Sequence, residues 1–267
     1  MKTPIVQRAR SFEHALELLF EDSWQEPLRR FRSNLAFRGL SDARYPLRTS
    51  LARLEGPYAD LEYHLLRNFR KYARLEGPPD LADSEWKWVT LGQHHGLPTR
   101  LLDWTYSPLV ALHFATSAID RFEVDGVVWC VDYVACHREL PDELARVLET
   151  AGAHVLTIQM LECVTRDLRV FDGLARERPF VAFFEPPSLD ARLVNQYALF
   201  SVLPDATAKL DAWLADRPAL HRRVIIPREV KWEIRDKLDQ ANVTERVLFP
   251  GLDGLAHWLA RHYAPRG

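Results

Sequence analysis

A chain of 267 residues, 47% hydrophobic with only eleven glycines, can bury a substantial core as one large domain or two small ones. A net charge of −2 excludes a general coat of positive charge for nucleic acid, and no apolar run approaches the ~20 residues of a membrane span. Three cysteines without C-x-x-C spacing exclude a disulfide framework or zinc site. Cys130, Cys136 and Cys163 stand in apolar surroundings and read as buried thiols.

In chain order, Ser11 to Phe31 reads as a helix that turns Phe12, Ala15, Leu16, Leu19 and Phe20 inward. Asn34 to Gly39 reads as a short strand, and an Arg-rich connector follows to Leu54. Tyr58 to Leu75 is a second helix, with Leu61, Leu65, Phe69 and Tyr72 on one stripe, broken by Pro78-Pro79. Ser84 to His95 is a third, carrying Trp86, Val89 and Leu91. Ser107-Pro108 then opens an amphipathic helix, Ser capping and Pro at the first helical position, with Ala111, Leu112, Ala115, Ala118 and Ile119 on one face. Gly126 to Tyr133 is a strand.

Apolar runs at Arg178–Glu185, Gln196–Leu203 and Arg222–Pro227 read as further strands. Helical segments at Asp142–Glu149, Ala206–Ala215 and Glu229–Gln240 lie between or after them. A last helix, Leu252 to Tyr263, would dock through Leu252, Leu255, Trp258 and Leu259. No linker composition divides the chain. The expectation is one α+β domain over residues 1–267, helices dominating the first half and short, mainly antiparallel strands the second. The N-terminus shows no hydrophobic leader, so the expected location is cytoplasmic, with no membrane partner.

Charge is uneven. Residues 29 to 74 carry ten Arg and one Lys against four acids, +7, which leaves −9 for the rest. Such a patch suits a phosphate-bearing small molecule, or an RNA or DNA contact through Arg29–Arg74; solvated helix faces are the plainer alternative.

The segment from Thr90 to Ala115, TLGQHHGLPTRLLDWTYSPLVALHFA, concentrates the residues that do chemistry. His94 and His95 precede a Gly-Leu-Pro turn, Arg100 and Asp103 bracket two leucines, and Trp104 and Thr105 lead into the Ser107 helix. Polar groups at a helix start suggest a ligand cleft that favours anions. Adjacent histidines diverge on a helix, and no metal-ligand spacing such as H-E-x-x-H appears, so no metal is expected.

Ala36-Phe37-Arg38-Gly39, the segment GQHHGLPTRLLDWTYSPLVALHFA, and GVVWCVDY together resemble the bacterial FRG domain, named for Phe-Arg-Gly. The resemblance continues through Pro187 to Phe200, with Arg192 and Gln196, and into LFPGLDGL, covering roughly residues 30 to 260 with the first helix packed on that core. It implies a bacterial or phage protein near toxin and anti-phage defence functions. A more distant likeness is to ADP-ribosyltransferases of the Arg-Ser-Glu class. Phe37-Arg38-Gly39 is similar to their first-strand motif, and Asp103-Trp104-Thr105 stands at the Ser-Thr-Ser place before a helix with Ala111 and Phe114. Gln196 stands where the catalytic Glu would begin the last strand. That likeness implies an ADP-ribosyltransferase-like core using NAD as substrate.

On this reading Arg38, Asp103, Thr105 and Gln196 do the chemistry. Arg38, Gly39, His94, His95, Thr99, Arg100, Trp104 and Tyr106 surround the cofactor. Arg38 would grip pyrophosphate, Thr105 orient the site, and Trp104 or Tyr106 stack on a flat ring. A carboxylate would hold a ribose hydroxyl and stabilise positive charge developing on the ribose. Gln196 has no charge to give, so Asp103 or Glu185 would serve instead. Structural alternatives stay open: Arg38 or Arg100 paired with Asp103, Trp104 in the core, Gln196 capping a turn.

Two functions follow. One is an NAD-dependent ADP-ribosyltransferase or NAD glycohydrolase that modifies a macromolecule such as nucleic acid, restrained by an antitoxin or regulatory protein. The other is a non-catalytic sensor that binds nucleotide or nucleic acid in bacterial defence. A two-metal nuclease is disfavoured by the lack of clustered carboxylates.

Overall fold

The computed structural model describes residues 5–73, 84–176, 178–187 and 191–265. Ten strands form among the described residues: β1 (Ile5–Arg8), β2 (Trp24–Gln25), β3 (Arg30–Phe31), β4 (Leu35–Leu40), β5 (Leu102–Thr105), β6 (Gly126–Asp132), β7 (Leu156–Thr157), β8 (Ala182–Glu185), β9 (Ala198–Val202) and β10 (His221–Ile226). Eight make one sheet in the order β1-β10-β6-β4-β5-β9-β8-β7, and β2 with β3 makes a separate hairpin. Among the described residues only the β1–β10 and β7–β8 pairs are parallel. The α+β class and the mainly antiparallel sheet are therefore as the sequence implies. Residues 126 to 131 of β6 are all buried, which explains an apolar run with no alternation: this strand is covered on both faces.

The helices are α1 (Phe12–Phe20), α2 (Tyr58–Ala73), α3 (Glu85–His94), α4 (Pro108–Ala115), α5 (Tyr133–Cys136), α6 (Asp142–Ala151), α7 (Ile158–Val164), α8 (Leu168–Gly173), α9 (Ala191–Asn195), α10 (Leu210–Ala215), α11 (Lys231–Gln240), α12 (Glu245–Leu248) and α13 (Leu252–His262). On one face of the β10-β6-β4 region, α1, α4 and α11 enclose Phe37, Val128, Cys130, Val224 and Ile226. Trp104, Trp129, Leu199 and Trp213 build the core on the other side. A third cluster, centred on Trp86, Phe171, Phe184 and Phe200, joins α3, α6, α7 and α8 to the β8–β9 end.

Several elements differ from the sequence expectation. The first helix stops at Phe20, because Asp22 turns with φ 61° and Pro27 opens a short 3-10 turn inside the β2–β3 hairpin. Phe20 is consequently exposed. In α2 the buried positions are Glu62 and Leu66, and Tyr72 is 69% exposed. Pro78-Pro79 and Leu75 lie outside the described residues. Helix α4 has its Ser107 cap, which accepts from the Val110 N–H at 3.3 Å, but it ends at Ala115 and is buried on nearly every side. Ala118 and Ile119 lie beyond it.

Strands and helices occur in both halves, since α7 and α8 carry too few residues to show a helical stripe. Cys163 is exposed rather than buried. In α13, Leu252, Leu255 and Leu259 face outward, and Gly254 and Arg261 make the buried contacts. Among the described residues no helix is long and apolar enough to cross a membrane.

His137, just after α5, ties that segment to the β7–β8 end of the sheet. Its Nε2 accepts from the Phe183 N–H at 2.8 Å, which fixes the tautomer with Nδ1–H donating to the His154 carbonyl at 3.0 Å. Burial pushes this imidazole down to about 4, partly offset by the His154 carbonyl. Below its ordinary pKa near 6.5 the unfolded chain takes up a proton that the folded one refuses, so stability falls as pH drops through the window 6.5 to 4. The expected loss from this residue is about 2 kcal/mol, read as a fall in the urea midpoint from pH 7 to pH 4.5. That slope should flatten in His137→Gln.

Candidate functional site

The eight-stranded sheet is joined at its middle by one register pair, Phe37 opposite Thr105. Elsewhere β4 pairs with β6 and β5 with β9. A cleft of about 170 Å³ opens at this junction, lined by residues of β4, β5, α4, α9 and β9. Arg38, Gly39, Asp103, Thr105 and Gln196 all reach it, which brings together three stretches separated by up to 158 positions.

Gly39 is required by the packing behind the cleft. Any Cβ there would overlap the Ala111 carbonyl oxygen and come within 2.7 Å of the Ala115 nitrogen, so β4 lies directly on the backbone of α4. Gly126 permits a similar approach on β6. The glycine of the Phe-Arg-Gly triplet thus sets the depth at which its arginine is held.

Arg38 is 15% exposed at its side chain. Its Nη1 donates to the Asp103 backbone carbonyl, while the Asp103 carboxylate stands 3.8 Å away, outside hydrogen-bond range. The buried Nε has no partner among the described residues. Burial holds the guanidinium below its ordinary pKa range, with Asp103 opposing and the charge of Arg53 adding to the effect. The group remains a cation. A buried cation with an unfilled donor and no hydrogen-bonded carboxylate has the chemistry to bind an anion.

Asp103 is held by α3. The Gln93 side-chain amide donates to both carboxylate oxygens at 3.0 Å. The Gln93 carbonyl oxygen in turn accepts from the Thr99 hydroxyl. The Thr99 N–H donates to the Ser50 hydroxyl at 3.0 Å. Thr105 is engaged differently. Its hydroxyl donates to the Gln196 carbonyl at 2.7 Å and accepts from the Ser107 N–H at 3.0 Å, so it stitches β9's entry to the start of α4.

Gln196 follows α9 and precedes Tyr197, whose φ of 51° is left-handed. Its side-chain amide donates to the Leu248 carbonyl at 3.0 Å, and Asn195 donates to Val247 at 2.7 Å. The α12 segment that offers these carbonyls is anchored by Arg261, which binds Glu245 through two bonds at 2.7 and 2.8 Å and Asp239 at 2.6 Å. Arg261 and backbone bonds hold Glu245 down to about 2 despite its burial. Gln196 therefore acts as a tether as well as a wall of the cleft. A glutamate there would turn an oxygen toward the Leu248 carbonyl.

Other expected residues lie elsewhere. Arg100 does not enter the cleft and does not pair with Asp103. Its guanidinium is buried between Glu62 at 2.5 Å and Asp172, and also donates to the Pro204 carbonyl at 3.2 Å. Trp104 does contribute to the lining of the cleft, but its ring faces the core, donates to Ser201 at 2.8 Å and packs edge-on against Phe183. Tyr106 points away too, donating to Glu185 at 3.0 Å beside Tyr133 and Tyr197. Neither Glu185 nor Tyr106 lines the cleft. His94 and His95 contact each other at 5.0 Å and lie outside the lining, as does Thr99, which acts through Gln93.

Two residues belong to the site and were not singled out for it. Arg192 lines the cleft, stacked over Phe249 at 5.0 Å with Nη1 directed at the His94 carbonyl at 3.5 Å. Gln93 holds Asp103. Arg192 stood in the motif that carried the family resemblance, so the signal was present. Gln93 had none beyond its place in a crowded segment. Among the described residues no group of His, Cys, Asp or Glu is arranged to hold a metal. The basic stretch from residue 29 is spread over the β2–β3 hairpin, the connector and α2, where Arg44 pairs with Asp42, Arg48 with Glu55 and Arg70 with Glu85.

Residues 33–123 match the family model of the FRG domain, a segment that holds β4, α2, α3, β5 and α4 and ends before β6. No curated protein and no solved structure matches the chain.

Proposed function

We propose, from the premise that this chain carries an FRG domain, that the Arg38 cleft binds NAD by its pyrophosphate and ribose and that the protein cleaves it as an ADP-ribosyltransferase-like enzyme. The observation that carries this reading is the buried, incompletely partnered Arg38 beside a carboxylate, at the meeting point of the three segments that resemble the Arg-Ser-Glu class. Arg38 takes the anion, with Arg192 as a second cation on the rim. Asp103 faces the ribose hydroxyls and stabilises the positive charge that develops as the nicotinamide–ribose bond breaks. Nicotinamide leaves neutral with the bonding pair, and an acceptor hydroxyl or water forms the new bond and gives up its proton. At about 170 Å³ the cleft is below the roughly 300–1,000 Å³ of sites that engulf drug-sized ligands, so one end of the dinucleotide enters and the rest lies outside.

A defence or toxin role, with RNA, DNA or protein as acceptor and a regulatory partner, accords with the FRG domain. The dispersal of the basic residues favours local phosphate contacts over one continuous nucleic-acid track. A sensor that binds nucleotide without cleaving it is the second reading, favoured by Gln196, an uncharged tether where the class has its glutamate. Calorimetric titration with NAD tests the shared claim: Arg38→Ala should weaken binding at least about tenfold, the loss of a charge-assisted contact. Equal affinity in wild type and variant would remove Arg38 from the site.

A further inference from the structure

The Gln93–Asp103 contact is unusual for a polar side chain beside a cleft, because its geometry is fixed from behind. An amide can face a carboxylate with either end, and only the NH₂ end is favourable. The Thr99 hydroxyl donates to Oε1 of Gln93 and so commits Nε2 to Asp103, where it sits 3.0 Å from both oxygens. Thr99 is 1% exposed and is itself pinned through its backbone N–H by Ser50. A chain of hydrogen bonds thus runs from the connector after β4, through the turn after α3, to a carboxylate on the cleft wall. Asp103 is 58% exposed at its side chain, and beside the Gln93 amide its carboxylate has only the longer 3.8 Å approach to Arg38 among the described residues.

We propose that Gln93 is the positioning residue of the cleft: it holds the Asp103 carboxylate where a ribose hydroxyl meets it, and so makes the site selective for ribo- over deoxyribo-sugar phosphates. This rests on the reading of Arg38 as the phosphate anchor and Asp103 as the sugar-facing acid. Arg38 supplies affinity for any phosphate, and the Gln93–Asp103 pair supplies the preference for the hydroxyl, because an oriented carboxylate accepts a hydrogen bond that a deoxy sugar cannot give.

The test titrates the purified chain with ribose 5-phosphate, 2-deoxyribose 5-phosphate and inorganic phosphate. Wild type should prefer ribose 5-phosphate over the deoxy sugar by about tenfold or more. Gln93→Met should bring that ratio close to one and leave phosphate affinity within about twofold, with an unchanged thermal midpoint. Thr99→Val is the second variant, should Gln93→Met fail to fold, and should reduce the ratio in the same direction. A purely structural role for Gln93 would move the midpoint and leave the ratio alone. An unchanged ratio in a folded variant, or no preference in wild type, overturns the proposal. These bindings need no turnover, so a chain that selects ribose 5-phosphate yet leaves NAD intact would defeat the enzymatic reading while retaining Gln93's role.

Discussion

Gly39→Ala is expected to destabilise the protein by about 4 kcal/mol or more, enough to lower the thermal midpoint by about 10 °C or to prevent folding. Overpacking is tolerated when the obstructing atom is the end of a flexible side chain, which can rotate aside. Here the obstruction is backbone, the Ala111 carbonyl and the Ala115 nitrogen of a buried helix, so relief demands moving α4 off β4. That helix packs against Phe37 and Val128 in a core also built from α1 and α11. A small separation would therefore loosen several contacts at once. Differential scanning calorimetry measures this directly. A midpoint within a degree or two of wild type would mean that β4 and α4 do not lie as close as described.

Arg100→Met should cost about 3–5 kcal/mol, because it removes one cation and leaves two carboxylates behind. Burial alone would depress this guanidinium, but Glu62 and Asp172 outweigh it and the net shift is upward. The Glu62 and Arg100 side chains are 5% and 4% exposed, Arg100 binds Oε2 of Glu62, and Oε1 has no hydrogen-bond partner among the described residues. Replacing the arginine strands that carboxylate against α2, β5 and α8. Adding Glu62→Gln and Asp172→Asn should recover a large part of the loss, since neutral amides carry no such penalty. Urea denaturation of the single and triple variants decides it. A single variant as stable as wild type would show that the cluster is solvated and contributes little.

These two residues show where sequence reasoning reached and where it stopped. Phe37-Arg38-Gly39 and the Ser107 helix were legible because each uses local chemistry: a strand ending in glycine, and a serine cap followed by proline. The strand β6 was legible because six residues in a row carry the signal. Arg100 reads from sequence as a partner of nearby Asp103, while the bend before β5 turns its side chain elsewhere. Its true partners, Glu62 and Asp172, are 38 and 72 residues away. Trp104 followed the same logic, since strand alternation turns it opposite to Asp103 and Thr105 and onto Ser201.

The cleft's residue types were readable, but their roles depended on partners no local pattern encodes. Gln196 read as a departure from a catalytic glutamate. Its side chain in fact holds Leu248, 52 positions on, and that carbonyl is placed by the Arg261–Glu245 pair of the last two helices. Gln93 lies inside the most informative segment, where nothing local distinguishes it from two histidines that stay outside the cleft.

The central claim is that the Arg38 cleft acts on NAD, and release of nicotinamide tests it most directly. The purified chain is incubated with NAD and a mixture of RNA, DNA and protein, beside Arg38→Ala. The account predicts release that falls about 10²–10³-fold in the variant, with label appearing on one class of acceptor. Release that is unchanged by Arg38→Ala, or NAD that is neither cleaved nor able to protect the fold against heat, would contradict it.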